Sequence, residues 1–186
     1  MKQLGFLVHI EKCLGCRSCE FSCKNEHGQE DSFRRKIHSI ESELDRNGHS
    51  FHHFSLACNH CETPACMAIC PERCIKKKPN GIVIIEKEQC SGCGICVAAC
   101  PFTAIKIDAF TKKADKCDMC YERQQLGQLP TCVEACPVKA IEIIDIHDKN
   151  NQQYRNEIYG LHFKNLTGPS IRFNEKKEKA IHFWSI

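Results

Sequence analysis

Cys90-Ser91-Gly92-Cys93-Gly94-Ile95-Cys96-Val97-Ala98-Ala99-Cys100-Pro101 is the stretch that decides how the rest of the chain is read. Its spacing, C-x2-C-x2-C-x3-C-P, recurs with variation three more times. Cys13, Cys16, Cys19 and Cys23 repeat it without the proline. Cys58, Cys61, Cys66 and Cys70 stretch the middle gap to four residues and end on Pro71. Cys117, Cys120, Cys132 and Cys136 place eleven residues in that gap and end on Pro137. Every quartet opens with C-x2-C and closes with C-x3-C, so the chain carries a four-fold internal repeat. Of its 17 cysteines, Cys74 alone falls outside the quartets. An odd count with this spacing argues against a disulfide framework.

The spacing has a chemical reason. Three thiolates on a tight loop can wrap three irons of one cubane, and the fourth, about one helical turn on, faces away towards a second. This is the bacterial-ferredoxin pattern for [4Fe-4S] clusters, and it makes the motifs work in pairs. Zinc also uses C-x2-C pairs, and the last quartet on its own would pass as a zinc ribbon. Beside three ferredoxin-like quartets that reading falls away, and four [4Fe-4S] clusters are expected. A c-type haem is excluded because C-x-x-C-H does not occur.

The pairing of quartets admits two schemes. Ile75-Lys76-Lys77-Lys78-Pro79-Asn80-Gly81-Ile82-Val83-Ile84-Ile85 reads as two short strands around a Pro-Asn-Gly turn. Such a hairpin is expected inside one two-cluster unit, which would join quartets two and three at 55–110 and leave one and four to meet across it. A sequential pairing, one with two and three with four, stays open on spacing alone.

Composition narrows the class further. The chain has 186 residues, 42% of them hydrophobic when its cysteines are counted, and 26% charged. Once the cysteines are used as ligands, the apolar remainder is too thin for an ordinary core, and metal binding must supply cohesion. A net charge of +3 gives no case for nucleic acid. The longest run of large apolar residues is Ile82–Ile85, so no direct membrane span is expected. The apolar patch near Met1 is too short for a signal-peptide core, and Arg34-Arg35 is internal. Export, if it occurs, would need a signal-bearing partner.

Several segments together resemble a known family. They are Gly5-Phe6-Leu7-Val8 before Cys13-Leu14-Gly15-Cys16, Ser32-Phe33-Arg34-Arg35, and Ser55-Leu56-Ala57-Cys58-Asn59-His60-Cys61-Glu62-Thr63-Pro64-Ala65-Cys66. Lys116-Cys117-Asp118-Met119-Cys120-Tyr121-Glu122-Arg123 and Pro130-Thr131-Cys132-Val133-Glu134-Ala135-Cys136-Pro137 complete the set. They resemble the four-cluster iron–sulfur (beta) subunit of dimethyl-sulfoxide-reductase-type molybdopterin oxidoreductases, over residues 1 to about 145. The resemblance implies an α+β fold of two intertwined bacterial-ferredoxin-like units with short strands, short helices and cluster-binding loops.

It also implies the nested pairing. Cys13, Cys16, Cys19 and Cys136 would hold the first cluster, and Cys23, Cys117, Cys120 and Cys132 the second. Cys58, Cys61, Cys66 and Cys100 would hold the third, and Cys70, Cys90, Cys93 and Cys96 the fourth. Some relatives replace a cysteine of the third quartet and carry a [3Fe-4S] centre; with Cys93 present, four cubanes are expected. The implied partners are a molybdopterin-containing catalytic subunit and an integral membrane quinone-reactive anchor subunit. The chain would be peripheral to the membrane, either exported with its partner or on the cytoplasmic face.

The residues carry no sign of catalysis of their own. No G-x-G-x-x-G follows a strand, there is no P-loop, and sixteen ligand positions leave no iron open to substrate. The chain reads as an electron conduit: a relay in anaerobic respiration, or else a free-standing polyferredoxin or an accessory ferredoxin of another redox complex. Low net charge weighs against a free shuttle, which uses a strong single-sign surface for fast encounters. Cys74 occupies the alanine place of the Cys-Pro-x-x-Ala-Ile pattern seen at Cys136–Ile141 and reads as a small buried residue. His38, His49, His52 and His53 fall in a polar insertion between quartets one and two, and the lysines at 76–78 and 112–113 read as solvated faces. Short strands are expected at Gly5–Ile10, Ile82–Ile85, Ala104–Ile107 and Ala140–Ile144. Beyond about residue 146 there is no cysteine, but Tyr154, Tyr159, Phe163, Phe173, Phe183 and Trp184 occur in a polar stretch. That stretch reads as a C-terminal arm, wrapped on its own core or contacting a partner subunit.

Overall fold

The ends of the short helices follow from where proline stands. Helix α2 (Ala65–Ile69) stops at Cys70, and α3 (Ile95–Ala99) stops at Cys100; both cysteines are extended, at ψ 114° and 113°. Each precedes a proline, whose ring disfavours helical backbone in the residue before it. Helix α1 (Ser18–Glu26) has no such stop after Cys23 and continues for another turn. Helices α4 (Tyr121–Gln125) and α5 (Thr131–Glu134) complete the set. α1 packs on α5 and α2 on α3, so quartet one meets quartet four and quartet two meets quartet three.

A computed structural model describes residues 2–28, 34–43, 49–158 and 166–174, with the backbone alone at 41–43 and 49–51. Its central sheet has the order β8-β1-β9. Strand β1 (Leu4–His9) is buried throughout, because both of its edges are taken. β8 (Ile141–Asp145) runs antiparallel to it, pairing Phe6 with Ile143 and Val8 with Ile141. β9 (Ile171–Asn174) runs parallel on the other side, pairing Phe6 with Ile171 and Val8 with Phe173. Part of the aromatic C-terminal stretch is thus built into the sheet, while Tyr159, Phe163, Phe183 and Trp184 lie outside the described residues.

Gly5 is what lets these strands meet. A Cβ there would collide with the carbonyl oxygen of Ser170, just before β9. Backbone at that point cannot give way as a side-chain tip could. Gly5→Ala is therefore expected to destabilise the iron-loaded protein by about 1–3 kcal/mol, read as a lower melting temperature under anaerobic conditions. An unchanged melt would mean that the 166–174 segment is not seated on β1.

The insertion between quartets one and two is a two-stranded hairpin, β2 (Lys36–Glu43) with β3 (His49–Leu56). Ile40 and Phe54 are buried in it, and Phe54 meets Phe173 edge-on at 6.3 Å. The expected hairpin around Pro79-Asn80-Gly81 is present as β4 (Ile75–Lys77) and β5 (Val83–Ile85). A last pair, β6 (Lys106–Ile107) with β7 (Ala114–Asp115), has only two residues a side. Both apolar cores contain cysteines. Cys19, Cys58, Cys117 and Cys132 pack with the central sheet, and Cys66, Cys74 and Cys96 pack with Ile75, Val83 and Ile105. No helix among the described residues is long and apolar enough to cross a membrane.

Candidate metal centres

All four C-x2-C loops share one backbone feature. The residue before the second cysteine is left-handed in each: Gly15 at φ 67°, His60 at 43°, Gly92 at 75° and Met119 at 59°. Glycine adopts this freely, but for His60 and Met119 it is a strained state costing about 1–3 kcal/mol. Such a kink turns successive backbone N–H groups towards one point and forms an anion-binding concavity of the kind that Fe–S sites use. A Cβ on Gly92 would also strike the carbonyl oxygen of Lys112.

A second repeat closes three of the quartets. After Cys70-Pro71, Cys100-Pro101 and Cys136-Pro137, residues Arg73, Thr103 and Lys139 are again left-handed, at φ 50°, 53° and 51°. Their N–H groups donate to the carbonyls of Cys70, Cys100 and Cys136 at 3.1–3.2 Å. The next amide then reaches sulfur: Ala104 N–H donates to Cys100 Sγ at 3.4 Å, and Ala140 N–H to Cys136 Sγ at 3.1 Å. This explains the late start of two strands. Ala104 and Ala140 were expected in the sheet, but their amides are engaged with sulfur, and β6 and β8 begin beyond them.

The loops converge on shared spaces. One cavity is lined by Cys58, Cys61, Cys66 and Cys100, with Thr167 on its wall. Another is lined by Cys70, Cys90, Cys93 and Cys96, together with Cys74. In the other half, Cys136 and Cys16 are near enough for their charges to bear on Cys13, and Cys132 and Cys120 near enough to bear on Cys23. Cys19 stands at the junction, facing both Cys132 and Cys13.

Burial pushes many of these thiols up. Cys23 and Cys66 rise to about 12 and Cys61 to about 11, and Cys117 goes well above its ordinary value. In each case loss of solvent is the main cause, with neighbouring sulfur charges adding to it. A buried set of mutually repelling thiols becomes a set of thiolates only beside strong positive charge, which is what metal ions supply. No cysteine is in a disulfide. The donor chemistry, the backbone concavities and the cysteine-lined cavities therefore fit iron–sulfur clusters.

Other side chains, most of them from outside the motifs, finish the sites. Ser55 Oγ lies 3.3 Å from Cys19 Sγ, Ser18 Oγ 3.4 Å from Cys16 Sγ, and the Thr167 hydroxyl donates to Cys61 Sγ at 3.1 Å. His27 Nε2 is 3.6 Å from Cys120 Sγ. Lys116 is buried, its ammonium held by the carbonyls of Val83 and Cys117, and its charge bears on Cys66. His53 packs its ring against Gly15, and His38 stacks on Phe54 at 5.7 Å.

Cys74 is buried, as its alanine-like position implies, but it is also chemically engaged. Its Sγ lies 3.5 Å from that of Cys70. Burial, then the hydrogen bond and charge of Cys70, push the Cys74 thiol up to about 12. Cys70 itself is lowered, because hydrogen bonds from the Cys74 thiol and nearby amides outweigh the effect of burial.

Comparison with known proteins agrees with this chemistry. Residues 49–146 match the 4Fe-4S dicluster domain family. The sequence is 38% identical over 130 residues to a chain of the anaerobic dimethyl sulfoxide reductase of Haemophilus influenzae, covering 65% of this protein and 63% of that one. It is 35% identical over 128 residues to the corresponding polypeptide of Escherichia coli, covering 64% and 62%. Against a subunit of the tetrathionate reductase of Salmonella typhimurium it is 35% identical over 177 residues, covering 90% and 70%. The match therefore spans less than two thirds of these dimethyl sulfoxide reductase polypeptides and somewhat more of the tetrathionate reductase one. With its repeated cysteine quartets and the ligand loops built on them, the protein belongs to the 4Fe-4S dicluster family, among the iron–sulfur subunits of the dimethyl sulfoxide reductase type.

Proposed function

We propose that this protein is a non-catalytic electron-transfer subunit that relays electrons through four [4Fe-4S] clusters, from or to a quinone-reactive membrane subunit on one side and a molybdopterin catalytic subunit on the other. The ligand sets are the nested ones. Cys13, Cys16, Cys19 and Cys136 hold one cluster; Cys23, Cys117, Cys120 and Cys132 hold the next. Cys58, Cys61, Cys66 and Cys100 hold the third; Cys70, Cys90, Cys93 and Cys96 hold the fourth. Residues 1–145 then form two intertwined ferredoxin-like units, and the stretch beyond them is an arm that in part contacts a partner. When bound, the clusters supply one-electron chemistry.

The observation that carries this reading is the exposure of the ligands. Of the sixteen, only Cys16 and Cys93 are exposed, and they belong to the first and the fourth sets. The second set is buried throughout, and the remaining ligands are buried or half-buried. Exposed apolar residues lie near both outlets, Leu14 and Phe21 in the first quartet and Ile95 in the third, as they do at Met67, Ile69, Leu126 and Leu129 in the other two. N–H donors from Met119, Ala104, Ala114 and Ala140 reach cysteine sulfurs and hold negative charge there. A series of sites open at its two ends and closed in the middle suits transfer between two docked proteins. The subunit would sit at the membrane through its partner.

The test is anaerobic affinity purification of the native protein, with iron, acid-labile sulfide and molybdenum assayed on the eluate. About sixteen irons per polypeptide are expected, with stoichiometric molybdenum and a hydrophobic third subunit. The same iron on a lone monomer would make the protein a free polyferredoxin. Much less iron, with zinc present, would overturn the cluster count.

A further inference from the structure

Arg35 is the largest of the fully buried side chains, only 1% exposed, and its charge is incompletely satisfied. Nη1 donates to Ser55 Oγ at 3.1 Å, but Nε and Nη2 have no partner. The guanidinium lies 4.1 Å from the centroid of the Phe6 ring in β1. No carboxylate among the described residues is paired with it, in contrast to Arg34, which holds Asp115 and Asp118. An arginine buried without a counter-ion is strongly unfavourable, so something negative must face it.

The surroundings say what that is. The charges that bear on Arg35 are those of Cys132, Cys117, Cys19 and Cys23, in that order. Three of them belong to the set Cys23, Cys117, Cys120 and Cys132. The fourth, Cys19, is reached through Ser55, whose Oγ touches both Arg35 Nη1 and Cys19 Sγ. The guanidinium thus packs on Phe6, in the core that also holds Cys19, Cys117 and Cys132, where one cluster set adjoins another. The arginine comes from the turn into β2, outside every cysteine motif.

We propose that Arg35 sets the reduction potential of the cluster held by Cys23, Cys117, Cys120 and Cys132, by holding a buried positive charge beside it that no carboxylate among the described residues offsets. This rests on the ligand sets proposed above. A reduced cluster carries one more negative charge than an oxidised one, so a fixed cation favours the reduced state and raises the potential. The cluster that includes Cys19 feels a weaker effect through Ser55. The two sets built from quartets two and three feel little.

The experiment is a redox titration of the purified holoprotein, with each cluster followed by its electron paramagnetic resonance signal and iron measured in parallel. Arg35→Met is expected to lower one cluster's reduction equilibrium at least tenfold, which is ~59 mV for a one-electron couple. Arg35→Lys keeps the charge but loses the fork of donors, and is expected to move the same signal in the same direction by less. It also serves if the Met variant does not assemble. Cys132→Ser marks the cluster independently by altering its signal. No shift in any iron-replete Arg35 variant would overturn the proposal with the ligand sets intact, and so would an equal shift in all clusters. A shift in a signal other than the one altered by Cys132→Ser would overturn it through the ligand sets themselves.

Discussion

Removing the iron is expected to unfold most of this protein. The helices among the described residues are four to nine residues long, and isolated helices shorter than about 12–15 residues are marginal in water. Among the described residues three of the four sheets are two-stranded, and such hairpins do not stand alone. The ligand loops add strain, since His60 and Met119 are held left-handed. Nothing in the sequence makes that conformation favourable once the centre of each loop is vacated. By analogy with structural metal sites, each cluster contributes on the order of 10 kcal/mol to folding. Chelation under anaerobic conditions should therefore abolish most of the far-ultraviolet circular dichroism and the cooperative melt together. An apoprotein that keeps both would show that apolar burial is sufficient and that the clusters are passengers.

The next largest effect should come from Asp115→Ala. Asp115 takes a two-point contact from Arg34, with Nη2 to Oδ1 at 2.7 Å and Nε to Oδ2 at 2.8 Å. Lys87 reaches the same carboxylate at 2.7 Å, and Arg34 Nη1 extends to Asp118 at 3.0 Å. The Arg34 and Asp115 side chains are 7% and 4% exposed, so the pair is sealed from solvent. It ties the turn before β2 to β7, to the approach of the third quartet at Lys87, and to the fourth ligand loop at Asp118. Removing the carboxylate leaves a buried guanidinium with one half-exposed partner, a loss of about 3–5 kcal/mol. For a protein of this size that corresponds to a melting temperature lower by roughly 10 °C. High salt should not mimic the effect, because screening acts poorly on buried pairs. A drop of less than about 2 °C would mean that Asp118 alone satisfies Arg34.

The parts that were readable in advance are those governed by local covalent pattern. Quartet spacing singled out the four C-x2-C loops, which share one left-handed turn, and Pro79-Asn80-Gly81 singled out the hairpin of β4 and β5. Gly15 and Gly92 announce left-handed turns, but His60 and Met119 hold the same conformation without any sign in their residue type. The hairpin at 36–56 hid because Ile37 and Ile40 are three apart, as are Phe51 and Phe54, which is not the alternation of a half-buried strand. β9 hid for another reason: four residues pairing in parallel with a strand at the other end of the polypeptide leave no local trace. Arg35 was the least visible. An arginine beside another arginine reads as surface, and only the packing of Phe6, Ser55 and the cysteines turns it inward.

The position of β1 between two late partners has a bearing on how the protein is made. Leu4–His9 is synthesised well before its partners, since its register joins Val8 to Ile141 and Phe6 to Ile171. At about 5–20 residues per second, the ribosome needs on the order of ten seconds to deliver the first partner, and longer for the second. Through that interval a largely apolar strand has two open edges and invites pairing with other nascent polypeptides. With the ligand sets proposed above, the first loop follows at Cys13, and iron delivered early would find a set whose last thiol, Cys136, has not yet been translated. Maturation of this protein is therefore a problem of timing, in which shielding the first strand and withholding iron until release serve the same end.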